Sequence, residues 1–145
     1  MDGLRLRWAS TADTELAFQI KQSQFRSYAE MLKPWDEAAE RRLHQERFAV
    51  QDFRFVVVEG DDIGVLATRL WHDCLKIYQL FIVSAHQGKG IGAWCLEKVS
   101  AEAGEAGVPL RLRVLKVNVR ALNFYQRFGF KLITQDASHT YLEYE

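Results

Sequence analysis

The stretch from Leu75 to Ala103 changes character abruptly, in a way that few folds accommodate. Leu75 to Val83 (LKIYQLFIV) is dense in β-branched and aromatic residues and reads as a strand, and Ala93 to Ala103 reads as a helix. Between them, Gln87 to Gly92 (QGKGIG) alternates three glycines with Lys89 and Ile91. Glycine lets backbone approach a ligand closely, and the first turn of a helix has N–H groups without intrahelical partners and a partial positive charge. Strand, glycine turn and helix N-terminus in that order make an anion site. The expected ligand carries phosphate.

The flanking sequence supplies a sheet for that unit. Leu4, Leu6 and Trp8 alternate with Arg5 and Arg7, which predicts a first strand with one buried face. Ser10 and Thr11 are N-cap candidates for a helix from about Ala12 to Met31, which Pro34 ends; Asp36 starts a second helix to Val50. Phe53 to Val58, the turn Glu59 to Asp62 (EGDD) and Ile63 to Trp71 form a hairpin that continues through Leu75 to Val83 as an antiparallel meander. After the loop, Ile91, Cys95, Val99 and Ala103 share a helix face, and Gly104, Gly107 and Pro109 stop that helix. Leu110 to Val117 is a strand, Asn118 to Phe128 a helix ended by Gly129, and Phe130 to Thr134 and Thr140 to Glu145 are strands. The order β-α-α-β-β-β-α-β-α-β-β predicts an α/β fold: a mixed, mostly antiparallel sheet of about six to seven strands with helices on both sides.

Composition narrows the classes. A chain of 145 residues, 48% hydrophobic and 26% charged, is expected to be one soluble domain, 1–145, with a single core. No apolar stretch approaches the roughly 20 residues of a membrane span, and Met1 to Trp8 lacks the apolar core of a signal peptide, so a cytoplasmic location is expected. Cys74 and Cys95 belong to no metal-ligand spacing and are expected to be free thiols; no metal is expected. Nineteen basic residues balance nineteen acidic ones, which argues against nucleic acid as the partner. Yet Pro109 to Lys131 holds Arg111, Arg113, Lys116, Arg120, Arg127 and Lys131 without an acid, a local basic surface that suits a polyanionic small ligand or is simply a solvated face.

Two nucleotide readings of the loop fail. No GxxxxGK[ST] string occurs, so a P-loop is excluded. Gly88, Gly90 and Ala93 satisfy the loose dinucleotide pattern, but the ribose-binding acid expected about 20 residues on is missing, and the loop follows a meander instead of opening the domain. A third reading fits. Gln87, Gly90 and Gly92 match [QR]xxGxG, and Asn118 to Phe130 (NVRALNFYQRFGF) matches N-x-x-A-x-x-F-Y-x-x-x-G-F. With these motifs in this order the chain resembles the GNAT superfamily of acyl-CoA-dependent N-acetyltransferases, over roughly Phe53 to Phe130.

That resemblance implies an N-acetyltransferase that moves an acetyl group from acetyl-CoA to a primary amine of a small molecule or peptide, by direct transfer in a ternary complex. It implies an acyl-CoA core at 53–135 and a variable acceptor side at 1–50. The pyrophosphate is expected on the backbone of Gln87, Gly88, Lys89, Gly90, Ile91 and Gly92. The pantetheine arm is expected to pair like a strand with Phe81, Ile82 and Val83, and Asn118 is expected to bond it or to cap the following helix. Tyr125 is expected to be the acid for the departing thiolate or an aromatic of the stripe Ala121, Tyr125, Phe128. No general base stands out: the position where many members carry an acid holds Gln79, and His72, Asp73 and His139 are weak candidates. Trp94 and Phe124 are candidates to shape the acyl pocket. Phe25, Tyr28, Trp35, Glu30, Asp36 and Glu37 are candidates to receive a cationic amine. Transfer of another acyl group, or a non-catalytic acyl-CoA-binding module, fits the same motifs. An edge strand such as Thr140 to Glu145 would allow a homodimer.

Overall fold

In the computed structural model, which describes residues 3–145, the chain runs β1 (Leu4–Trp8), α1 (Thr14–Glu30), α2 (Glu37–Val50), β2 (Asp52–Val58), β3 (Asp61–Leu70), β4 (Leu75–Ile82), α3 (Ile91–Ala106), β5 (Leu110–Leu115), α4 (Val119–Phe128), β6 (Lys131–Gln135) and β7 (His139–Tyr144). The order of elements is the expected one. The seven strands form one open sheet in the order β1-β2-β3-β4-β5-β7-β6, mostly antiparallel, with β4 and β5 parallel. Two compact units share the chain: residues up to Thr68 with Gln79–Gly92, and Arg69–Tyr78 with Ala93–Glu145.

In the first unit, β1 lies antiparallel to β2, and β2 to β3. Its core is Phe18 and Ile20 of α1 with Phe53, Phe55, Val56, Val65 and Leu66 of the strands. The tight turn between β2 and β3 places Glu59 and Gly60 at φ 50 and 87, the pair of positive angles that a two-residue hairpin demands. The expected buried face of β1 does not form as drawn, because Trp8 is 66% exposed under the guanidinium of Arg54. Arg7 is instead drawn in: it bonds Asp62 at 2.8 Å and Asp13 at 3.0 Å and lies over the Phe55 ring. Two carboxylates and an aromatic face outweigh the alternation, since a charge with full partners is tolerated where a lone one is not. A short 3-10 turn (Thr11–Asp13) leads into α1, and α2 starts where expected, with the Asp36 carboxylate accepting from Ala39 N at 3.1 Å.

In the second unit, Leu75, Lys76 and Ile77 of β4 stand opposite Leu110, Arg111 and Leu112 of β5, and β7 pairs with both β5 and β6. β7 is therefore interior, and the expectation of an edge at Thr140 to Glu145 is corrected: the edge is β6, exposed along its whole length. The α3 helix starts at Ile91 and runs through Gly104 to Ala106. It stops at Gly107, whose φ of 71 lets Val108 N reach Ala103 O at 3.0 Å and Gly107 N reach Gly104 O at 3.1 Å. Gly104 lies too close to the helix end to break it.

Candidate active site

The glycine loop is built in the first unit. After β4 a 3-10 turn (Ser84–His86) carries the chain to Gln87. Gly88 and Gly90 then take φ 74 and 80, a region where a Cβ is strained. A Cβ at Gly88 would meet nothing within 4 Å, so conformation, not space, requires glycine there. Ile91 is 5% exposed and anchors the first turn of α3 in the core. The N–H groups of that turn have no intrahelical acceptor, and a helix of 16 residues adds its dipole to them. Lys89 is exposed beside them.

The end of β4 is more committed than its sequence suggests. Val83 N donates to Ile63 O at 2.9 Å, so the Val83 N–H is committed, and Val83 O accepts from His86 N at 2.9 Å. Ile82 O accepts from Gln87 Nε2 at 2.8 Å. The Phe81 ring meets the Phe25 ring of α1 edge-on at 6.0 Å. Close approach of β3 is permitted by Gly64, where a Cβ would lie 2.7 Å from Phe81 O. Gln24 joins this group through its Oε1, 2.7 Å from Gln87 Nε2.

In the second unit, Asn118 caps α4: its Oδ1 accepts from Ala121 N at 3.1 Å. At the other end, Gly129 (φ 126) lets Phe130 N reach Tyr125 O at 3.0 Å and Gly129 N reach Gln126 O at 3.1 Å. The ring of Phe130 packs edge-on against Tyr125 at 5.5 Å, the apolar contact that accompanies this helix stop. Much of the second motif is thus a helix with its two caps. Tyr125 is buried, Phe124 lies 5.2 Å away, and burial, with the thiol of Cys95 nearby, pushes the phenol well above its usual pKa. The phenol keeps its proton across the physiological range.

The side chains weighed as bases do not gather. His72 is exposed, Asp73 pairs with Arg111 at 3.4 Å, and His139 is held 2.7 Å from Ser138 Oγ. Gln79 is 5% exposed, and its Oε1 is buried without a partner, an unmet acceptor on β4. The acids of the N-terminal helices are already matched: Glu30 by Arg26, Glu37 by Arg41, and Asp36 by the α2 cap; Arg26 also lies over Trp35. In α1, Lys21 was not singled out by its sequence, yet it is 4% exposed, with its Nζ over the Phe25 ring. Burial, then the charge of Arg47, lowers its pKa to about 8 against a smaller opposing pull from Glu40. Gln24 was also missed, since a glutamine in a helix gives no local signal of a partner 63 residues away.

Fold and loop together define an α/β protein with a positive-φ glycine loop at a helix N-terminus. The profile of the acetyltransferase (GNAT) family matches residues 15–130, and the chain belongs to that family. Over 89 residues, 59% of its length, it is 33% identical to the streptothricin acetyltransferase of Streptomyces lavendulae; the match covers 47% of that protein, so the chain spans about half the length of the curated relative it matches. Among solved structures, the N-acetyltransferase PaiA of Thermoplasma acidophilum in complex with coenzyme A superposes with a TM-score of 0.81 at 16% identity, covering 98% of each chain. An Arabidopsis thaliana protein in complex with the bisubstrate analogue CoA-Ac-MVNAL superposes with a TM-score of 0.72 at 16% identity, covering 99% of this chain and 98% of that one.

Proposed function

We propose that the protein transfers an acetyl group from acetyl-CoA to a primary amine of a small molecule or peptide, directly and within a ternary complex. The observation that carries this reading is the loop from Gln87 to Gly92, with positive-φ glycines at the N-terminus of α3 in a chain of the GNAT family. The N–H groups at the start of α3 suit the pyrophosphate of coenzyme A, which supplies an activated thioester. The likeness to an enzyme named streptothricin acetyltransferase supports a small-molecule amine, and the likeness to a protein in complex with the analogue CoA-Ac-MVNAL supports a peptide amine.

In this reading the amine attacks the thioester carbonyl carbon, the C–N bond forms as the C–S bond breaks, and the proton lost from nitrogen ends on the thiol. Tyr125 hydrogen-bonds the departing thiolate and donates to it. Because burial that keeps the phenol protonated also resists its ionisation, the donation is completed by the proton the amine gives up. Gln79 takes no proton, but its unmet Oε1 accepts an N–H of the acceptor. Deprotonation then falls to water, or the amine arrives neutral; a lysine-like amine, with pKa about 10.4, is neutral in only about one molecule in a thousand near pH 7.4.

Thiol release from acetyl-CoA across a panel of amines and peptides tests the proposal. Release that depends on an amine supports it. Binding of acetyl-CoA without release for any acceptor replaces it with a non-catalytic module, and faster release from a longer acyl-CoA replaces the acetyl assignment.

A further inference from the structure

The Gln87 side chain is committed to the protein, and the direction of its amide can be deduced. Ile82 O can only accept, so the atom of Gln87 at 2.8 Å from it is the donor Nε2. The same Nε2 lies 2.7 Å from the Gln24 amide, which must therefore present Oε1. That leaves Gln24 Nε2 to donate, and it lies 3.3 Å from Ser84 Oγ. One residue of α1 is thus tied to the first residue of the glycine loop and to the turn before it, and through Gln87 to the end of β4. Its neighbour Phe25 packs on Phe81 of the same strand end.

The loop needs such a support from outside. Gly88 and Gly90, at φ 74 and 80, have the most backbone freedom to lose, and a Cβ at Gly88 would meet nothing within 4 Å. The hydrogen-bonded brace ends at Gln87, one residue before the first of these glycines. We propose that Gln24 is a positioning residue for the acyl donor, holding the phosphate loop in its binding shape through Gln87. α1 then sets donor affinity, although it lies in the part of the chain assigned to the acceptor. The proposal rests on reading Gln87 to Gly92 as the donor's pyrophosphate site.

The test uses the full chain as wild type, Gln24→Ala, Gln24→Glu, Gln87→Ala and the double alanine variant. Acetyl-CoA affinity is measured by calorimetry, kinetics with an amine acceptor give KM and kcat, and hydrogen exchange follows the backbone of residues 82–90 without ligand. Losing the brace is expected to raise Kd and KM for acetyl-CoA about 5- to 30-fold, with kcat at saturating donor within about twofold. Gln24→Glu keeps an oxygen for Gln87 Nε2 and is expected to stay near wild type. The double variant is expected to be no worse than Gln87→Ala alone, the mark of a shared interaction. Exchange across 82–90 is expected to quicken in Gln24→Ala and not in Gln24→Glu. Unchanged exchange and unchanged Kd in Gln24→Ala overturn the proposal, as does additivity in the double variant. Should wild type fail to bind acetyl-CoA, the proposed function falls, and exchange in the free protein still decides whether Gln24 braces the loop.

Discussion

The helices α1 and α4 each carry one buried, titratable side chain, and they differ in how that side chain came to be buried. Tyr125 of α4 belongs to an apolar stripe and packs on Phe130 as part of a helix stop written entirely between Asn118 and Phe130. Lys21 of α1 is a cation enclosed beside Phe25, with Arg47 and Glu40 of α2 acting on it from a distance in sequence. Burial moves the two pKa values in opposite directions, up for the phenol and down for the amine, since in both cases it disfavours the charged form. The same physics keeps one group able to donate a proton and makes the other a standing cost to stability.

The sharpest way to break this comparison is Tyr125→Phe. If the phenol is the acid, kcat falls about a hundredfold or more while the acetyl-CoA Kd and the thermal midpoint barely change. Equal kcat in the variant would leave Tyr125 a packing residue like its neighbours. Next is Gly88→Val, which forces a β-branched residue to a φ of 74. At a cost of about 1–3 kcal/mol, donor affinity is expected to drop about 10- to 100-fold in calorimetry, with the fold intact by circular dichroism.

Lys21→Met sharpens the comparison from the other side. The folded-state pKa is depressed to about 8, whereas the unfolded amine titrates near 10.4, so the unfolded chain holds more protons between these values and stability rises with pH across that window. The variant is expected to be more stable than wild type by about 1–3 kcal/mol at pH 7, with the gap closing toward pH 10, as followed by urea titration. A constant gap would show that packing and not charge is responsible. The smallest effect concerns His44, which is 1% exposed among Phe18, Phe48 and Phe53, with Nε2 donating to Thr14 O at 2.9 Å and Nδ1 without a partner. Burial lowers its pKa against the opposing pull of the Thr14 carbonyl, with Lys21 and Arg47 lowering it and Glu15 raising it slightly. Stability is therefore complete above about pH 6.5 and declines as pH falls below it, a loss that His44→Phe is expected to remove in urea titrations between about pH 7 and about pH 5.

Much of this molecule was legible from its residues because the relevant forces act over a few positions. A positive φ needs glycine at 88 and 90, a helix start uses Asp36 or Asn118, a helix stop uses Gly107 or Gly129, and each acts on its own neighbours. The order of elements, the positive-φ glycine loop and the capped α4 follow from such rules, and with them the resemblance to the acetyltransferases. Where period-2 alternation was trusted at β1, Arg7 overrode it, because Asp13 and Asp62 converge on it only after the hairpin has folded.

Tertiary structure alone decided which polar groups found partners. It committed the Val83 N–H to Ile63, set β7 inside the sheet and not at its edge, and matched Glu30 and Glu37 with arginines. It buried Lys21, left Gln79 Oε1 unmet, and joined Gln24 to Gln87 across 63 residues. Local sequence states which bonds a side chain is able to make. Only the packing of distant segments states which of them water no longer makes in its place, and that difference separates a strand–glycine–helix sequence from a loop whose first residue is tied to α1.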